Sequence, residues 1–263
     1  MDASDAAIVV TGLAKSYGNV EAVRGISFAV RRGTTTALLG GNGAGKTTTL
    51  SMLLGVLTPS AGCVTVLGES MPEGRQRVLP RMNFTSPYVD MPKRLTVGEN
   101  LRVIADLYAL RHPGERIAAV AADCDLTGLL KRPYGSLSAG QRTRVSLAKA
   151  VLNEPEVLLL DEPTASLDPD IGDRMRSFLE AYQRRTGCTM LLASHHMGEV
   201  ERMCDDVMML RAGLLVDQGS PQQLIARYGR ENMEEVFLDI ARGGDGEGDG
   251  GRPVGSAAAE ITS

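Results

Sequence analysis

The sequence predicts an α/β fold built round a phosphate-binding loop, with an antiparallel β portion at its start and an α-helical insertion. Three observations point there. Gly40-Gly41-Asn42-Gly43-Ala44-Gly45-Lys46-Thr47 matches the pattern Gly, four residues, Gly, Lys, Ser/Thr, and it lies between apolar Ala37, Leu38 and Leu39 and a helix-like run over 48–54. Apolar residues alternate at Ile8 and Val10 and again at Ile26, Phe28 and Val30, as in half-buried strands. The period turns helical over about 96–153, before Val157-Leu158-Leu159-Leu160 resumes a buried-strand pattern.

Each element has a local reason. Arg31-Arg32-Gly33 is a turn, 36–39 a strand leading into the loop, and Gly55 the stop of the following helix. Residues 63–67 read as another strand. Thr96 and Glu99 form a capping-box pattern, after which Leu101, Ile104, Ala105 and Tyr108 recur at helix spacing. A second amphipathic stretch covers 115–123. A third follows Gly140, with Val145, Ala148, Val151 and Leu152 on one face and Pro155 ending it. Asp168 then caps a helix with Pro169 at its first position, and Ile171, Met175, Phe178, Leu179 and Tyr182 mark the buried face. Residues 189–193 are the next buried strand. A hairpin over 207–216 breaks at Ala212-Gly213, and a short final helix opened by Ser220 stops at Gly229. From Arg242 to Ser263, seven residues are Gly, interspersed with Asp and Glu, a composition that buries too little apolar surface to order itself. The organisation expected is one domain over 1–240, with a helical insert at about 96–153, and a disordered Gly-rich tail over 241–263.

The chemistry gathers at the strand ends. Glycines let successive N–H groups of the 40–47 loop turn toward one anion. Lys46 adds a point charge for the β and γ phosphates, and the Thr47 hydroxyl suits Mg²⁺. Asp161-Glu162 closes the apolar strand, where open α/β sheets bind ligands. Asp161 there is placed to hold Mg²⁺ through water, and Glu162, one residue farther out, to orient and deprotonate a water. Leu137-Ser138-Ala139-Gly140-Gln141 puts a hydroxyl and small residues at a helix start, which is either a plain cap or a second anion-binding surface. His195-His196 sits on an extended segment, where adjacent side chains point apart and joint metal chelation is awkward.

Composition narrows the partners. A net charge of −4, from 28 basic and 32 acidic residues, gives no electrostatic reason to expect nucleic acid, and a chain without Trp offers few stacking platforms. Cys63, Cys124, Cys188 and Cys204 form no Cys-x-x-Cys pair and read as buried free thiols of a reducing compartment. The N-terminus lacks the build of a signal peptide, and no apolar run approaches the roughly 20 residues a membrane helix needs. Any membrane role comes through a partner.

The pentapeptide 137–141 resembles the signature sequence of ATP-binding-cassette (ABC) ATPases, usually Leu-Ser-Gly-Gly-Gln, with Ala139 for the first glycine. The resemblance spans about residues 7–240. Tyr17 stands where the family stacks an aromatic ring on adenine. Residues 40–47, continued by Thr48, resemble the Walker A loop, with Gly41 where proline is frequent. Residues 157–162 resemble Walker B with the catalytic glutamate, Ser166-Leu167-Asp168 the D-loop, and His195 the switch histidine. The resemblance implies a P-loop NTPase fold of the ABC ATPase type, ATP and Mg²⁺ as cofactors, and a head-to-tail dimer. Each ATP would lie between Lys46, Thr47, Asp161 and Glu162 of one subunit and Ser138, Ala139, Gly140 and Gln141 of the other. It also implies a separate integral membrane permease and a place at the cytoplasmic face of the membrane. Residues 95–101, Ser194-His195-His196-Met197 and the C-terminal helix are similar to bacterial ATPase subunits of ABC-2-type exporters. An importer subunit and a soluble non-transport ABC ATPase are the alternatives. One departure stands out: Phe84-Thr85-Ser86-Pro87-Tyr88 lacks the family's Q-loop glutamine, and spacing puts Ser86 or Pro87 in its place. The expectation is that this loop keeps its coupling role with altered metal ligation.

Overall fold

The computed structural model describes residues 5–87 and 89–242; Tyr88 and the Gly-rich stretch from Gly243 onward lie outside the described residues. Strands β1 (Ala6–Tyr17) and β2 (Val20–Arg31) form a long antiparallel pair. β3 (Thr35–Leu39) is buried along its whole length and runs into the phosphate loop and helix α1 (Lys46–Leu53). β4 (Ala61–Val66) and β5 (Glu69–Met71) complete a four-stranded antiparallel sheet of order β2-β1-β4-β5. Helix α2 (Arg75–Val78) and strand β6 (Met82–Thr85) follow, neither announced by the sequence pattern.

Three helices then form the inserted block: α3 (Val97–Leu107), α4 (Pro113–Asp123) and α5 (Ala139–Val151). The expected capping box of α3 is made in full. The Glu99 N–H donates to Thr96 Oγ1 at 3.2 Å, and the Thr96 N–H donates to Glu99 Oε2 at 2.7 Å. β7 (Val157–Asp161), α6 (Pro169–Thr186), β8 (Thr189–Ala193), α7 (Met197–Met203), β9 (Asp206–Arg211), β10 (Leu214–Gly219) and α8 (Pro221–Tyr228) finish the α/β frame. α8 is not the last helix. After Gly229 the chain forms α9 (Met233–Arg242), which buries Met233, Val236 and Ile240 and runs past the expected boundary at residue 240.

The second sheet has order β10-β9-β3-β8-β7-β6, parallel throughout except where β10 returns antiparallel beside β9. Its inner strands are covered on both faces, whereas edge strand β10 leaves Leu214 and Val216 exposed, and the inner side chains divide by the strand period of two. Ala37, Leu39, Leu158, Leu160, Met190 and Leu192 join the core under the helices. Leu38, Val157, Leu159, Leu191, Ala193 and Leu210 join the core shared with α1 and the antiparallel sheet. Cys124, Cys188 and Cys204 are buried as expected, whereas Cys63 is exposed, because it falls on an outward position near the start of β4. No helix among the described residues is long and apolar enough to cross a membrane.

A polar seam ties the inserted block to the sheet. On α5, Lys149 Nζ donates to the Phe84 carbonyl at 2.6 Å and lies 4.9 Å from the Phe84 ring centre. Ser146 Oγ meets Thr85 Oγ1 at 2.5 Å, and Asn83 Nδ2 donates to Asn153 Oδ1 at 2.8 Å. Burial pushes the Lys149 ammonium down to about 8. Between about 8 and the ordinary value of 10.5 the unfolded chain therefore keeps a proton that the folded chain has lost. Stability from this group rises with pH across that window. Urea unfolding near the two ends of the window should show the wild type gaining stability relative to Lys149→Met as pH rises. The buried thiols of Cys124 and Cys188, pushed up to about 12, titrate in the opposite sense in both chains and cancel in the difference. Parallel pH curves would remove the buried charge from the seam.

Candidate functional site

The carboxyl ends of β3, β8 and β7 lie side by side and deliver the three groups of residues that the sequence singled out. After β3, the loop closes on itself: the Ala44 N–H donates to the Gly41 carbonyl at 3.1 Å. Gly45 caps α1 at φ 103°, a left-handed conformation that L side chains avoid, and a Cβ there would lie 2.6 Å from the Ala22 carbonyl oxygen. Gly40 is constrained by space alone, since its Cβ would lie 2.6 Å from the Leu210 carbonyl oxygen. Gly41 has neither constraint. Asn42 and Gly43 are exposed at the loop's tip, and Thr47 is exposed on the first turn of α1, with Thr48 beside it half-buried.

Lys46 folds back over this loop, donating from Nζ to the Gly40 carbonyl at 2.5 Å and to the Gly41 carbonyl at 3.3 Å. Burial lowers its ammonium pKa, while the carboxylates of Glu162 and Asp161 raise it. The lysine thus faces the two acids across the sheet ends. Asp161, 6 % exposed, is the last residue of β7. Burial and the neighbouring Glu162 raise its pKa, opposed by a hydrogen bond from Ser86 and the charge of Lys46. The bond runs from Ser86 Oγ to Asp161 Oδ2 at 3.1 Å. Of the two candidates for the missing glutamine's place, Ser86 is the one whose side chain reaches the carboxylate; Pro87 is exposed.

Glu162 leaves the strand with φ 49°, a strained value for a non-glycine residue. Its N–H donates to the Ala193 carbonyl at 2.8 Å, holding it against the end of β8. Two residues past Ala193, His195 brings Nδ1 to 2.6 Å from Glu162 Oε1. The histidine is largely exposed and the glutamate is not. Oxygen donors of this kind (the Thr47 hydroxyl, the Asp161 carboxylate and the Ser86 hydroxyl) fit a hard divalent cation such as Mg²⁺.

The remaining predicted residues sit apart from the phosphate loop. Ser138 caps α5 in a full capping box: the Gln141 N–H donates to Ser138 Oγ at 3.2 Å, and the Ser138 N–H donates to Gln141 Oε1 at 3.0 Å. Ala139 lines a cleft of about 230 Å³ together with Ser86, Asp161, Glu162 and Ser166. A Cβ on Gly140 would lie 3.2 Å from the Ser166 carbonyl oxygen, so the helix start packs close on the loop that leads to α6. Asp168 occupies the cap position of α6 as expected, but its side chain makes no capping hydrogen bond. Tyr17 ends β1, half exposed, with Lys15 Nζ 5.4 Å from its ring centre. Sequence reasoning passed over Thr164 and Glu199, two buried residues behind the Glu162–His195 pair. They are distant in sequence, and no short motif joins them.

The family described as ABC transporter matches residues 23–165. The Nod factor export ATP-binding protein I of Ralstonia nicotianae is 38 % identical over 236 residues, covering 88 % of this chain and 72 % of that relative. This chain belongs to the ABC transporter family. A solved ATP-binding subunit of an ABC transporter shares the fold, with TM-score 0.82 at 24 % identity over 89 % of this chain and 98 % of that one. The cbiO1 protein of Clostridium perfringens, part of the ABC transporter complex cbiONQ, is 29 % identical with TM-score 0.75, covering 91 % and 98 % of the two chains. The chain is thus an ATP-binding ABC ATPase with the mixed antiparallel and parallel sheets of that fold. Membership gives a context for the glycine geometry. An alanine at position 45 meets both strain of roughly 1–3 kcal/mol and a backbone clash, so Gly45→Ala should weaken ATP binding by roughly 10-fold or more. Gly41→Ala should bind as the wild type does. Equal affinities in a fluorescent-nucleotide titration would contradict the assigned loop geometry.

Proposed function

We propose that this chain is the ATP-hydrolysing subunit of an exporter, working as a dimer on a separate membrane permease. The observation that supports hydrolysis most directly is the Glu162–His195 contact at 2.6 Å beside Asp161, facing Lys46. In this reading Glu162 takes a proton from water as the water oxygen attacks the γ-phosphorus. The bond from that phosphorus to its bridging oxygen breaks, and ADP carries away the electron pair. Lys46 offsets charge on the phosphoryl oxygens, and His195 holds Glu162 and reaches the γ-phosphate. Thr47 and Asp161 would hold Mg²⁺, which supplies neutralisation of phosphate charge when bound. Ser86 keeps Asp161 in place where the family uses glutamine.

The second subunit enters through the signature. Ser138 and Ala139 are exposed at the start of α5, with Gly140 and Gln141 half-buried beside them, and the cleft that Ala139 lines with Asp161 and Glu162 has no phosphate-loop residue in its wall. A head-to-tail partner would bring Ser138 and Gly140 over ATP seated on Lys46 and Thr47, with Tyr17 on the adenine and Asp168 at the contact between subunits. Binding closes the dimer, and loss of the γ-phosphate opens it. Export is favoured by the name of the Ralstonia relative, and an ABC-2-type permease at the cytoplasmic face of the membrane by the motifs around Leu95 and His195. The domain proposed is 1–240, extended by the last turn of α9.

Two measurements test this. Glu162→Gln should bind ATP while turnover falls roughly 10²- to 10⁴-fold; near wild-type hydrolysis would falsify Glu162 as the base. Affinity capture of the full chain from native membranes in mild detergent should bring a polytopic membrane protein in near-equal amount. Only soluble partners would overturn the transport role and leave the ATPase standing.

A further inference from the structure

Glu199 lies on α7, carries none of the predicted chemistry, and is 1 % exposed. Both of its carboxylate oxygens accept hydrogen bonds: Thr164 Oγ1 donates to Oε1 at 3.0 Å, and Ser194 Oγ donates to Oε2 at 2.8 Å. Its own N–H donates to His196 Nδ1 at 3.3 Å, and the His196 N–H donates to Ser194 Oγ at 3.1 Å. The salt bridges among the described residues involve other carboxylates. A buried carboxylate paired only with hydroxyls is expensive to fold around, and it is tolerated where it fixes something.

What it fixes follows from where the two hydroxyls stand. Thr164 is two residues after Glu162, in a turn where the Leu167 N–H donates to the Thr164 carbonyl at 3.0 Å. Ser194 immediately precedes His195. One carboxylate therefore pins, from behind, the two loops whose side chains meet at 2.6 Å in front. The proton inventory decides which substitution breaks the ties. Ser194 accepts from the His196 N–H and gives its single proton to Glu199, and Thr164 gives its proton too. An amide of the same shape would keep both ties, accepting from one hydroxyl and donating an N–H to the oxygen of the other, which has a free lone pair. Methionine, close in volume and without an oxygen, removes both ties and leaves no large cavity.

We propose that Glu199 is a positioning residue that sets the Glu162–His195 geometry by holding Thr164 and Ser194, without touching nucleotide itself. The consequence for turnover rests on the hydrolytic reading above; the geometric part does not. The full chain carrying Glu199→Met tests both. Its kcat should fall roughly 10- to 100-fold, as expected for a misplaced reacting group, with KM for ATP unchanged. In combination with His195→Ala it should cost nothing beyond His195→Ala alone, because both act through one pair. The chain has three histidines, so carbon-13 ring labels read the geometry without activity. In Glu199→Met the His195 signal should move toward its position in Glu162→Ala, while that of His112 stays, and in Glu199→Gln, which keeps the ties, it should not move. An unmoved His195 signal in Glu199→Met, or a loss that multiplies with His195→Ala, overturns the proposal. If Glu162→Gln itself hydrolyses normally, the hydrolytic reading fails and the ring signal alone decides the clamp. Should Glu199→Met not fold, Thr164→Val and Ser194→Ala each remove one tie and face the same readouts.

Discussion

The register of three neighbouring parallel strands is the constraint on which the site depends. Ala193, at the end of β8, pairs with Leu38 of β3 on one side and Asp161 of β7 on the other. Its carbonyl also receives the Glu162 N–H. One residue therefore aligns the entry to the phosphate loop, the acidic pair and the loop of His195. A slip of one residue would reverse every side chain between the two faces of the sheet. Both faces are packed, the helical core on one side and the α1 core on the other, so a slip would disrupt both cores at once. The chemistry is held in place by Leu158, Leu159, Leu191 and Leu192, which never approach it.

The same arrangement sets the electrostatics. Lys46, Asp161 and Glu162 share one small region, and each changes the other's proton affinity: the acids raise the lysine's, and the lysine lowers that of Asp161. The ammonium donates to the Gly40 and Gly41 carbonyls. An incoming polyphosphate would replace those weak acceptors with charged ones, which are stronger. Yet two carboxylates stand nearby and would repel it. A divalent cation arriving with the nucleotide reverses that sign, so the donor set and the charge balance point to the same requirement.

What the sequence disclosed and what it withheld divide by the range of the contact. The loop over 40–47, the capping box at Thr96, the helix cap at Ser138 and the strands at Val157 and Thr189 are local patterns, and each forms in the structure. β6 went unread because four residues containing Asn83 show no clear period, and their burial comes from α5 and β7. α7 is seven residues long and capped by His196, an uncommon cap. α9 is amphipathic, but it lies beyond Gly229, which reads as the stop of the final helix. The ties from Ser86 to Asp161, from Lys149 to Phe84 and from Glu199 to Thr164 span 75, 65 and 35 residues, beyond any motif.

The departures from the family pattern fall where geometry leaves room. Position 41 has open space round its Cα, so glycine is allowed there without being required. At position 86 a serine hydroxyl reaches Asp161 at 3.1 Å. Position 139 follows a capping box that already engages the Gln141 N–H, while the helix itself offers no acceptor to the N–H groups of Ala139 and Gly140. Those amides point out of the helix start whichever small residue carries them. The next glycine has no such latitude, because a Cβ at Gly140 would press on the Ser166 carbonyl at 3.2 Å. The substitution at 139 thus keeps the donors and leaves intact the close contact with the loop leading to α6.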